Sequence, residues 1–144
     1  MGAHHVIDHS KPLKDELKRI GIAEVEYIAS LTQTAKHLAA YPDIVAPQGK
    51  IGVIDDPATL DVVPFKRKCA SVHWEAMFAR SMFGTADMIA QHDLLDEVSA
   101  LADAGSLRTT LTQNLGTINA VNLKKAHALI ESGKSIGKVV LEGF

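Results

Sequence analysis

Apolar residues in this chain fall into short continuous runs separated by stretches in which they return every three or four positions. Val6-Ile7 is a brief strand candidate, after which Ser10 is placed to cap a helix whose face is Leu13, Leu17 and Ile20 and whose stop is Gly21. Val25 to Leu31 is the second run, rich in strand formers and ending in Ser30-Leu31-Thr32. A weaker helical pattern carries His37, Leu38, Ala39 and Tyr41, and Pro42 bends or ends it. Gly49 to Ile54 is the third run, closed by the turn composition Asp55-Asp56-Pro57, and Ala70 to Phe78 is the fourth. Thr85 then opens a long helix with the stripe Met88, Leu95, Val98, Leu101 and Ala102, stopped by Gly105, and Leu107 to Leu111 reads as a strand leaving the sheet domain. In the tail, Leu123, Ala126, Leu129 and Ile130 give one more helical face, Gly133 ends it, and Val139-Val140-Leu141 is a strand closed by Gly143. Strands alternating with helices predict an α/β fold, a mainly parallel sheet with helices on its faces.

Composition narrows the class without changing that picture. The chain has 144 residues, 47% hydrophobic and 22% charged, which suits a globular domain able to bury a core. A formal charge of -2 gives no electrostatic reason to expect nucleic acid or an anionic membrane, and Lys66-Arg67-Lys68 is read as a solvated loop. No apolar run approaches the roughly 20 residues of a membrane helix, and the first residues hold histidines and acids where a signal peptide needs cations and an apolar stretch. The single cysteine, Cys69, has no partner for an internal disulfide. The expected location is the cytoplasm.

Most sharper motifs fail on spacing. Gly133-x-x-x-Gly137-Lys138 is one residue short of a phosphate-binding loop and is followed by Val139, where a Ser or Thr should meet magnesium. His4, His5 and His9 are read as solvated imidazoles, so no metal site is expected. His73-x-Glu75 opens like a zinc deaminase but lacks the two cysteines that chemistry needs. Cys69 and His73 would share a face of one strand as nucleophile and base; a buried structural thiol is the preferred reading. No Gly-x-Ser-x-Gly turn supports a hydrolase role for Ser30 or Ser71. What remains is position: ligands of open parallel sheets bind outside the carboxyl ends of the strands. Here those ends are Ser30-Leu31-Thr32, Ile54-Asp55-Asp56 and Trp74 to Phe78.

The wording of several segments is more specific than their periodicity. Ala126-His127-Ala128-Leu129-Ile130-Glu131-Ser132-Gly133-Lys134 followed by Gly137-Lys138-Val139-Val140-Leu141 resembles the C-terminal end of zinc-type alcohol dehydrogenase-like proteins, in the quinone oxidoreductase branch of the medium-chain dehydrogenases and reductases. Gly2-Ala3-His4-His5-Val6-Ile7-Asp8-His9, Ala46-Pro47-Gln48-Gly49-Lys50-Ile51, Arg80-Ser81-Met82-Phe83 and Asp103-Ala104-Gly105 extend the likeness over nearly the whole chain.

The resemblance implies the second half of a Rossmann-type doubly wound parallel sheet over residues 1–105, lacking the glycine-rich turn, and a segment 106–144 returning to the catalytic domain. Met1 is then an internal methionine of a longer chain. In the strand order 3-2-1-4-5-6, the runs at Val6, Val25, Gly49 and Ala70 become strands 3, 4, 5 and 6. The implied activity is hydride transfer from NADPH to a quinone, enone or similar activated double bond, without zinc and with the substrate-contacting residues upstream. Ser30, Thr32, Ile54, Asp55, Met77, Phe78 and Lys138 are the implied cofactor contacts, with Asp55 and Asp56 kept away from the pyrophosphate by their charge. A homodimer through Ala70 to Phe78 is implied as well. The rival reading is a non-catalytic assembly or interaction module with no complete site.

Overall fold

Pro12 precedes the first helical residue, acids stand in the first turn (Asp15, Glu16) and bases in the last (Lys18, Arg19), so the dipole of α1 (Leu13–Arg19) is complemented at both ends. Gly21, at φ +81°, ends the segment as expected. Ser10 is not its cap, because its hydroxyl and N–H both donate to the Asp8 carboxylate, at 2.6 and 3.0 Å. Nor is Val6-Ile7 a strand: neither residue pairs with a strand among the described residues, and Val6 is 84% exposed while Ile7 leans on the core. The computed structural model describes residues 2–143, which divide into two compact units between Met88 and Ile89.

The first unit is built on a parallel sheet of β1 (Val25–Ser30), β2 (Val45–Val53) and β3 (Ser71–Trp74), in that spatial order. Ile28 stands against Ile51, Ser30 against Val53, Gly52 against His73 and Val53 against Trp74. β2 begins four residues before the expected run, since Val45 pairs with Val25 ahead of an irregularity where Gln48 takes φ +62°. Gly49 follows that kink, and a Cβ there would meet Val45 Cγ2 at 2.6 Å and the Ala46 and Glu26 carbonyls at 2.9 Å. The link between β1 and β2 is a broken helix: α2 (Thr34–His37), a 3-10 turn (Leu38–Ala40) and α3 (Tyr41–Ile44). Pro42 starts its last turn instead of ending it, because an N–H is dispensable in a first helical turn. β3 is shorter than the run Ala70 to Phe78; after the Glu75 N–H reaches the Val53 carbonyl (2.8 Å) the chain turns into α4 (Ala79–Phe83).

Ile51 and Val53 alternate toward a core with Leu17, Tyr41, Ile44, Val45 and Phe65, while Lys50, Gly52 and Ile54 take the opposite face. In the second unit, α5 (Ala90–Asp103) starts later than Thr85, whose hydroxyl instead donates to Asp87 (2.7 Å) in the turn ahead of it. β4 (Leu111–Thr117) begins where the predicted strand was to end, as Leu107 is held to the helix end by its N–H on the Leu101 carbonyl (3.1 Å). α6 (Ala120–Glu131) is capped by Asn119, whose side chain accepts from the Asn122 N–H (2.9 Å). β5 (Lys138–Glu142) then pairs parallel with β4. No helix among the described residues is long and apolar enough to cross a membrane.

Candidate functional site

Parallel pairing in this register brings Ser30, Val53 and Trp74 to one edge of the sheet, so the chain leaves all three strands on the same side. A cleft of about 400 Å³ runs along β1 from Val25 to its carboxyl end, with Leu13 and Leu17 of α1 on one side and Ser30, Leu31, Thr32 and Tyr41 at the strand end in its lining. A second, of about 570 Å³, is lined by Ile54, Asp56, Trp74, Met77, Phe78 and Phe83 among others. A third, of about 390 Å³, opens on the sheet face over Tyr27, Lys50 and His73; it shares Leu31 with the first and Ile54 with the second. Each strand is followed by exposed apolar side chains, Leu31 at 68%, Ile54 at 39% and Phe78 at 64%, which make the strand ends an apolar rim.

Of the residues expected to meet a ligand, Ser30 and Thr32 line the first cleft, and Ile54, Met77 and Phe78 the second. Lys138 belongs to the other unit, where it opens β5 and its N–H donates to the Thr110 carbonyl (2.7 Å). Asp55 is turned to Thr34: the Thr34 N–H donates to one carboxylate oxygen at 2.9 Å and the Thr34 hydroxyl to the other. Those donors, the hydroxyl first and the backbone second, hold the Asp55 carboxyl below its ordinary pKa. Ser30 Oγ is 2.6 Å from Thr34 Oγ1 and 2.8 Å from the Tyr41 hydroxyl, all three residues buried. Thr34 and Tyr41 were not expected at the site. The partners span up to 21 positions of sequence, and no short-range spacing signals such a row.

Two expectations about Cys69 fail. The thiol is exposed, not buried, and it sits at φ +50° after the 3-10 helix Val63–Lys68, outside β3. It therefore shares no strand face with His73, whose Nε2 is paired with Ser71 Oγ at 2.9 Å. His9 faces His37, ring centroids 5.7 Å apart, and no group of three or more His, Cys, Asp or Glu side chains gathers around a possible metal position among the described residues.

Residues 1–141 match the family model for zinc-binding dehydrogenase. The chain is 31% identical over 142 residues to a zinc-type alcohol dehydrogenase-like protein of Staphylococcus aureus strain MSSA476, and 29% to its counterpart in Staphylococcus epidermidis. In both cases the match covers 98% of this chain and 42% of the relative, so the chain spans less than half the length of the relatives it resembles. Among solved structures, a Rhizobium etli CFN 42 protein classed as a zinc-dependent alcohol dehydrogenase is 57% identical with a TM-score of 0.88, over 99% of this chain and 42% of that one. An NAD-dependent alcohol dehydrogenase shares the fold at 19% identity, TM-score 0.71, over 99% of this chain and 39% of its own.

Proposed function

The chain belongs to the zinc-binding dehydrogenase family, and from that premise we propose that it forms the back half of a cytoplasmic, NADPH-dependent oxidoreductase acting on a quinone, enone or related activated double bond. Its fold is the second half of a Rossmann-type doubly wound parallel sheet followed by a C-terminal segment, as in the R. etli structure. The observation that carries the reading is the exposed apolar rim at the carboxyl ends of three parallel strands, where dinucleotides bind in open sheets.

The residues present suit a flat, weakly polar ligand. Thr32 and Ile54 would flank the nicotinamide and adenosine portions, with Met77 and Phe78 providing apolar contact. Asp56 repels phosphate and restricts the pyrophosphate to elsewhere. The bound dinucleotide supplies the hydride; these side chains orient it and exclude water. Zinc does not fit the described residues, which contain one cysteine and no gathered ligand set. The segment 106–144 would return to the catalytic domain, and the 144-residue chain by itself is expected to lack turnover.

A second copy completes the reading. The Glu75 N–H addresses β2, so Ser71 and His73 do too, whereas Val72 and Trp74 turn their N–H and C=O groups to the free edge. Pairing of that edge across a two-fold axis through Ala70 to Phe78 is closed and gives a dimer. Assay of the complete protein with NADPH or NADH against quinone, enone and aldehyde acceptors tests the function. NADPH oxidation with a quinone or enone is expected; zinc-dependent alcohol oxidation alone would exclude it.

A further inference from the structure

The hydrogen bonds around Ser30 can be given a direction. A carboxylate only accepts, so the Thr34 hydroxyl proton lies on its bond to Asp55. With that proton committed, Thr34 Oγ1 accepts from Ser30 Oγ (2.6 Å), and Ser30 Oγ in turn accepts from the Tyr41 hydroxyl (2.8 Å). The row Tyr41 to Ser30 to Thr34 to Asp55 thus runs one way and ends on a negative charge. Each bond polarises the next in a site where Ser30 is 2% exposed and Thr34 0%.

Its mechanical effect falls on three residues. Ser30 ends β1 and Thr34 begins α2, so the row closes over the link Leu31-Thr32-Gln33, in which Gln33 holds φ +53°, an unfavourable region for a residue with a Cβ. Asp55 comes from the loop after β2, and the Ile54 N–H also donates to the Ser30 carbonyl (3.2 Å). One strand-end loop is therefore fastened to the next, and the link carries the exposed Leu31 and Thr32, which both line the first cleft.

We propose that Asp55 and Thr34 are positioning residues for the cofactor site: the Asp55 carboxylate acts through Thr34 to hold the Leu31-Thr32 link, and does not itself touch the dinucleotide. This rests on the NADPH reading above. In the complete enzyme, Thr34→Val, which loses the hydroxyl bond and keeps the N–H, should raise KM for NADPH about tenfold, the effect of losing one charge-assisted hydrogen bond, and Asp55→Ala, which loses both, by at least as much, with kcat within about twofold in each. The double variant should be no worse than Asp55→Ala, because the bond lost in Thr34→Val is one of the two already lost with the carboxylate, and Thr34→Ser should keep the parental KM. Multiplicative loss in the double variant, about a hundredfold, or an unchanged KM in Thr34→Val, would mean a direct carboxylate contact and overturn the proposal. Amide hydrogen exchange supplies a readout free of turnover. Asp55→Ala should speed exchange at residues 31–34 and leave the centre of β2 protected; unchanged exchange there would refute the positioning role. An enzyme that oxidises no NADPH while its 31–34 amides respond in this way would refute the functional reading and leave the link device standing.

Discussion

Asp55, marked in sequence as a strand-end ligand contact, is tied in the fold to Thr34 by two hydrogen bonds. Its place after a strand run marked it as a strand-end residue, and that much was correct; its partner, Thr34, lies 21 positions away and carries no motif. Ser10 shows the opposite failure. It has the right type and place for a cap, but an acceptor two residues back, Asp8, takes its hydroxyl. Gly21 and Gly133 were readable because φ values of +81° and +66° leave few alternatives to glycine. The Asp55 pKa is lowered on folding, first by the Thr34 hydroxyl and then by its N–H, so the stability it contributes is complete above the ordinary carboxylate range and is lost as pH falls through the depressed folded value. Thermal melts of the chain from neutral to acid pH should therefore show a shallower acid decline in Asp55→Asn than in the parent. Parallel curves would remove Asp55 from the acid-sensitive groups.

Elements whose apolar residues recur over several turns were recovered, and their ends were not. α5 and α6 exist where the period placed them, yet the start of α5 moved from Thr85 to Ala90 because Asp87 captured the Thr85 hydroxyl. The run Ala70 to Phe78 reads as one strand by composition, but β2 ends at Val53 and provides ladder partners only through Glu75. That short strand is also the unpaired edge invoked for dimerisation. Proline at Val72 removes an N–H that points away from β2, leaving the internal ladder intact while blocking any strand added outside. At about tens of micromolar, light scattering should find the parent dimeric and Val72→Pro monomeric with an unchanged far-ultraviolet spectrum. A monomeric parent, or a dimer indifferent to the proline, would remove β3 as the interface.

For the molecule as a whole, alternation of strand and helix signals was enough for the α/β class and a parallel sheet, while the order of β1, β2 and β3 came with the family resemblance. The wording of the tail and of the middle segments pointed to the family, which the match over residues 1–141 establishes. Val6-Ile7 escaped because a strand exists only with a neighbour, and two apolar residues in sequence say nothing about one. Metal content is a further test at this level. With one cysteine and no gathered ligand set among the described residues, elemental analysis of the purified chain should find well under one zinc per molecule; a stoichiometric, tightly held ion would refute this. The claim that the chain is half of an NADPH-dependent reductase comes down to where a hydride goes. The complete protein, given NADPH deuterated at its transferable position and a simple enone, should yield a reduced ketone carrying one carbon-bound deuterium by mass spectrometry. Unreduced enone, or reduced product free of deuterium, would contradict it.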